Sequence, residues 1–249
     1  MKGGYLVYGA FAYAVFGVAL IWAIGFIAPL PLPRTVDRGP AAPAALAVAV
    51  DAALLGLFAV QHTVMARAYF KAWLTRRLPA GAERSTFVLA ASASLLLLFW
   101  QWRPLPAVVW DAHGAAAGLL LAIYAAGWLM VVASTFMIDH LHLFGLRQSL
   151  DAARGRGAHL PAFKTSWLYA WIRHPIMTGF LVTFWAAPRM TVGHLLFATA
   201  ASGYILVGIW FEERDLIRHV PEYGDYRRRV GGLAPKLPSW LRRPSSSPA

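Results

Sequence analysis

A chain that carries the run SASLLLLFW, from Ser92 to Trp100, with no charge and no helix breaker has few folds open to it. Such a run is stable only when buried in a large core or in lipid. Five more apolar runs accompany it, and spans of about 20 residues each can be drawn over them. They cover Tyr5–Leu30, Ala41–His62, Ser85–Trp102, Ala115–Ile138, Ile176–Ala187 and Val192–Phe211. With 59% apolar and 14% charged residues in 249, the chain is too apolar for an ordinary soluble domain. The expected fold is therefore all-α, a polytopic membrane helix bundle of five to six transmembrane helices. The fifth run is short before Pro188-Arg189, so it is expected to form a helical hairpin with the sixth. Alternatively it extends back through Trp167–Trp171 as a kinked helix. The first run is too long for a usual signal-peptide core and is read as a span.

Lysine and arginine set the orientation. With both termini in the cytoplasm, nineteen of the 23 basic residues lie inside and four (Arg34, Arg38, Arg103, Arg189) outside. The positive-inside rule selects this arrangement in a bacterial-type plasma membrane, with an even number of spans. The net charge of +12 then reads as topology and affinity for lipid headgroups, since the basic residues are dispersed around apolar spans. No nucleic-acid partner and no obligate protein partner are expected; the partner is the bilayer. The absence of cysteine excludes disulfides, thiolate metal sites and thiol nucleophiles. A single domain is expected over residues 1–240, followed by a disordered tail, 241–249. Gly114 and Gly118 have the spacing of a close helix contact.

The unusual polar residues gather at the inner ends of the spans. Gln61 and His62 close the second, and Asp139, His140 and His142 follow the fourth. Arg173-His174-Pro175 opens the fifth, and Glu212-Glu213 closes the sixth. Pro175 suits the first turn of a helix and biases His174 away from helical geometry. The helix N-terminus and Arg173 can then seat a carboxylate or phosphate, with Gly179 leaving room for a ligand or a neighbouring helix. The competing reading has Arg173 reaching to headgroups while His174 merely caps the helix. Two adjacent carboxylates at the end of an apolar span are costly unless paired or solvated. Glu212 and Glu213 can pair with Arg173 or receive a cationic ligand, on a helix continuing to Pro221. Asp51 must face the bundle interior. The DHLH stretch does not supply three ligands locally, so no metal is expected; a proton-handling role for its histidines, oriented by Asp139, is the better reading.

RHPIMTGF together with FEERDLIRHVPEYGDYRRRVGGLAPKLP resembles the isoprenylcysteine carboxyl methyltransferase-like superfamily of small membrane enzymes. With AVQHTVMAR, ERSTFVLAAS and STFMIDHLHLFGLRQ, the chain from Ala41 to Pro238 is similar to the methanethiol S-methyltransferase family of NnrU-type architecture. The resemblance implies methyl transfer from S-adenosylmethionine to a small thiol on the cytoplasmic side, methanethiol giving dimethyl sulfide, with hydrogen sulfide as a possible second substrate. It implies a cofactor part over residues 166–238, with Arg173, His174, Pro175, Gly179, Glu212, Glu213, Tyr223 and Tyr226 matching the cofactor site. Met177 stands where many members carry an aromatic residue, and Tyr169 lies nearby to compensate.

A small thiol is mostly protonated at pH 7, as the ~8.5 of a cysteine side chain suggests, so a base or an electrophilic stabiliser is needed. Asp139, His140, His142 and Arg147 are the candidates for that work, with Gln61, His62 and Gln148 on the substrate side. Two rival readings share parts of these signals. One is an NADPH-dependent membrane reductase, which a cofactor-binding assay separates. The other is an NnrU-like accessory protein binding haem, which a visible absorption band separates.

Overall fold

The computed structural model describes residues 2–28, 30, 32–157 and 163–236; the expected tail at 241–249 lies outside them. Helix α1 covers Lys2–Ile27, α2 Ala44–Ala66, α3 Ala68–Thr75, α4 Ala80–Gln101 and α5 Gly114–Ile138. Short α6 (His140–Leu143) and α7 (Leu146–Arg154) follow, then a 3-10 turn at Trp167–Ala170. Helix α8 is Pro175–Trp185, α9 Val192–His219 and α10 Tyr223–Arg229. Five of these, α1, α2, α4, α5 and α9, are long and apolar enough to cross a membrane. The fold is the expected all-α bundle of an integral membrane protein.

The fifth run departs from both forms expected of it. At 11 residues α8 is about 16 Å long, roughly half a hydrocarbon layer. It does not continue back through Trp167–Trp171, because Pro175 starts it and residues 171–174 are not helical. Nor is α9 its main partner; α8 lies chiefly along α5. Small residues permit this: a Cβ on Gly179 would stand 2.7 Å from Gly127 O, so the two backbones touch. The close glycine contact is therefore Gly127–Gly179. Gly114 and Gly118 have open space around them and pack against nothing.

A small antiparallel sheet went unanticipated. Strand β1 (Val108–Asp111) pairs with β2 (Arg189–Thr191), and joins the loop before α5 to the turn between α8 and α9. Next to it lies the aromatic core of Phe26, Phe99, Trp102, Tyr124, Trp128, Phe184 and Phe197. Trp102 Nε1 donates to Val36 O at 3.1 Å, and His194 Nε2 lies 2.9 Å from Phe184 O. Asp51 faces inward as expected, fully buried, where its Oδ1 accepts from Arg103 N–H at 2.9 Å. The protein is thus sealed at one end by rings and backbone bonds. The polar residues gather at the other.

Candidate active site

At the polar end, the helix start at Pro175 is held by the chain's C-terminal segment. Arg173 N–H donates to Gly231 O (2.8 Å) and His174 N–H to Gly232 O (3.1 Å), forming one step of parallel pairing. Thr178 Oγ1 completes the seam by donating to Leu233 O at 2.9 Å. Gly231 has no room for a side chain against Ala234 O. His174 takes the N-cap position at φ −123° and ψ 59°, kept out of the helical region as the residue before proline should be. The first intrahelical bond runs from Thr178 N to His174 O (2.9 Å), so the Ile176 and Met177 N–H groups precede it.

Glu213 is the centre of the site. Arg173 Nε and Nη2 both donate to its Oε1, at 2.9 and 2.6 Å. His174 Nε2 lies 3.0 Å from the same oxygen, and Arg227 Nε 3.1 Å from Oε2. With the carboxylate ionised, His174 Nε2 must carry a proton to donate. Arg173 Nη1 also donates to Val230 O at 2.5 Å, so this guanidinium is fully engaged. Both partners of the Arg173–Glu213 pair are about nine-tenths buried. Arg173 is therefore no headgroup anchor; it is a buried donor locked to a carboxylate. Glu212 differs: its side chain is half exposed, with Oε2 3.6 Å from His174 Nδ1.

Three tyrosines floor the site. Tyr223 is 1% exposed, and its hydroxyl sits beside the Arg173 guanidinium without a well-formed hydrogen bond. Burial, then the Glu213 charge, pushes its pKa up to about 12. Tyr226 Oη donates to Tyr169 O at 2.5 Å, and burial raises the pKa of both. All three phenols thus stay protonated donors. Tyr223, Tyr226 and Arg227 share one face of α10, which docks that helix onto Glu213.

The DHLH residues form a separate group. Asp139 Oδ1 accepts from His142 N–H at 3.1 Å and caps α6. His140 has both ring nitrogens occupied, Nδ1 by Thr135 Oγ1 (2.8 Å) and Nε2 by Tyr13 Oη (2.7 Å). It stacks on Phe136 at 4.2 Å, and burial lowers its pKa against the weaker pull of Asp139. Arg147 pairs along α7 with Asp151 at 3.9 Å. Among the described residues, no hydrogen bond or ion pair joins Asp139, His140 or Arg147 to Glu213, and no three His, Asp or Glu side chains are placed to share a metal.

Of the substrate-side candidates, Gln61 is engaged, accepting from Ser94 Oγ at 3.2 Å and donating to Met65 Sδ at 3.1 Å. His62 lies among the rings of Phe58, Phe87 and Tyr204 with Nδ1 buried and unpartnered. Gln148 Nε2 donates to His142 O at 3.0 Å, leaving a buried Oε1 without a partner. Gly179 packs against α5, the helix-neighbour role. Sequence reasoning missed Arg227 and Tyr13. Arg227 was findable, because it lies four residues after Tyr223 on the helix. Tyr13 was not, because nothing local links it to a histidine 127 positions away.

Residues 52–211 match the family model described as NnrU protein. The chain is 55% identical to a methanethiol S-methyltransferase of Mycobacterium tuberculosis, over 92% of this chain and 95% of that protein. It is 50% identical to methanethiol S-methyltransferase 2 of Bradyrhizobium diazoefficiens, over 93% and 90%. A more distant likeness, 28% identity over 68% of each chain, is to nurim of Sus scrofa. No solved structure matches.

Proposed function

This chain belongs to the NnrU protein family and, within it, to the methanethiol S-methyltransferases, and from that premise we propose that it methylates a small thiol with S-adenosylmethionine as donor. The preferred reaction is methanethiol to dimethyl sulfide, at the cytoplasmic face of the plasma membrane. The observation that carries the reading is the Arg173–His174–Glu213–Arg227 cluster at the start of a proline-initiated helix. Neither rival, the NADPH reductase nor the haem-binding accessory protein, is favoured by the names of these relatives.

The residues fit the proposed donor. S-adenosylmethionine carries a carboxylate, an ammonium group, ribose hydroxyls and a sulfonium. The Ile176 and Met177 N–H groups lie at the positive end of α8 and suit the carboxylate. The half-exposed Glu212 suits the ammonium or the hydroxyls, and Tyr223 Oη is a buried polar atom with hydrogen-bonding capacity to spare. When bound, the donor supplies an activated methyl group; the protein supplies position. Glu213 holds Arg173 and His174 and keeps the helix start in place. The protonated tyrosines fix α10 against it, and the α5–α8 contact keeps the floor rigid. Such positioning is where much of the rate of a two-substrate transfer originates.

Purified protein given S-adenosylmethionine and methanethiol should release dimethyl sulfide, read by gas chromatography, and a Glu213→Ala variant should release little. Silence from the intact protein would sink the substrate assignment. Full activity in the variant would sink the cofactor seat.

A further inference from the structure

Arg84 stands at the inner start of α4, next to the charge of Glu83 but in no ion pair with it. Its Nε donates to Leu143 O at 2.8 Å and its guanidinium carbon lies 4.9 Å from the centre of the Phe87 ring. Among the described residues no carboxylate reaches it within ion-pair distance, and its Nη groups have no acceptor. A guanidinium whose Nη groups take no protein acceptor at the edge of an apolar bundle can receive an anion.

Two acceptors with spare capacity are tied to the same region. Gln148 is tied to His142 O, the carbonyl next to the one that Arg84 uses, and its Oε1 is buried without a partner. His62 packs on Phe87 with ring centres 4.9 Å apart, its Nδ1 buried without a partner. Phe58 and Tyr204 complete apolar walls, with ring centres 5.2 and 6.4 Å from that of His62. The set combines cationic donors, neutral acceptors and aromatic surface. Few ligands satisfy all three. A small thiol does: it has one proton to give, a sulfur that takes negative charge, and a polarizable apolar body that packs well on rings.

Both clusters border α9. On α9, Tyr204 and Asp215 face α2, through Thr63 (3.1 Å) and Arg67 (3.6 Å). Glu213, about half a turn round at 100° per residue, faces Arg173 and His174, and Glu212 lies on the edge between. His62 lies five residues before Arg67, so the two clusters border opposite sides of α9 near one end, with Glu212 between them.

We propose that Arg84, His62 and Gln148 form the thiol subsite, with His62 Nδ1 accepting from the S–H and orienting it and Arg84 holding the sulfur as it becomes thiolate. The assignment rests on the thiol-methylation reading above. The S–H proton is lost to water, and the sulfur lone pair forms the new S–CH3 bond. The bond from that methyl to the donor's sulfonium breaks, and its electron pair stays on the departing sulfur.

The test uses the full chain in lipid nanodiscs and compares Arg84→Gln, His62→Gln and Arg76→Gln, the last an exposed control. Arg84→Gln should raise the KM for methanethiol by about tenfold or more and leave the Kd for S-adenosylmethionine within about twofold. His62→Gln should lower kcat with the same donor affinity. Iodide, a soft monovalent anion, should raise the Tm of the unsubstituted protein and of Arg76→Gln but not that of Arg84→Gln. If Arg84→Gln does not fold, Arg84→Lys should fold, keep part of the iodide effect and still raise the KM. An unchanged thiol KM in a folded Arg84 variant, or an iodide effect that survives the loss of the arginine, overturns the subsite. An unsubstituted protein that methylates no thiol overturns the reading beneath it; an iodide effect lost with Arg84 would then still mark an anion site.

Discussion

Glu213 shows how one residue can organise a site. It accepts from two arginines and a histidine brought from α10 and from the segment before α8, so it joins three pieces of chain. Glu213→Gln keeps the shape and removes the charge that three cationic or donor groups share. The expected loss is about 3 kcal/mol of stability with most of the activity, because buried partners are left uncompensated; a lowered Tm and reduced dimethyl sulfide release would check it. Tyr223 makes a pH prediction at the same scale. Its pKa is raised from the ordinary 10 to about 12, so its contribution to stability is whole below pH 10. Deprotonation in the unfolded chain begins near pH 10, and the contribution is lost as pH climbs through about 12. Tyr223→Phe should therefore flatten the alkaline limb of a Tm-versus-pH curve. A curve of unchanged slope would contradict the burial of that hydroxyl.

At the scale of elements, the decisive contact is α5 against α8. The half-length helix cannot anchor itself by spanning the bilayer, so its N-terminus is positioned by what it leans on. Gly179→Leu should push the helices apart and cost about 1–3 kcal/mol, as overpacking does. It should also weaken donor binding, measured by calorimetry, because the displaced helix start carries His174 and Arg173 with it. The long helices were legible in the chain because lipid demands a fixed length of apolar sequence. The start of α8 was legible too, because Pro175 restricts its own residue and the one before. The partner of α8 was not. A single sequence carries no record of which small residues meet, and Gly114-x-x-x-Gly118, the more obvious spacing, packs against nothing.

For the whole molecule, the testable property is sidedness. The chain has no cysteine, so one introduced thiol is a unique label. Ala112→Cys, near the sheet end, should react with a membrane-impermeant maleimide on intact cells, and Arg76→Cys only after the membrane is opened. The reverse pattern would place the Glu213 cluster outside. What the sequence determined by itself was what depends on composition along the chain: an all-α membrane bundle, the positions of five of the six runs read as spans, and the crowding of polar residues at the ends of those helices. Burial in lipid acts on each segment independently, so these features can be read locally. The tertiary structure alone decided which polar groups meet. Asp139, expected to steer a histidine ring, caps a helix; His140, expected to move protons, has both nitrogens bound; and Arg84, counted only as a topological charge, stands unpaired beside His62. Such pairings depend on directions of side chains from distant segments, and a hydrogen bond is satisfied or left open only once those directions are set.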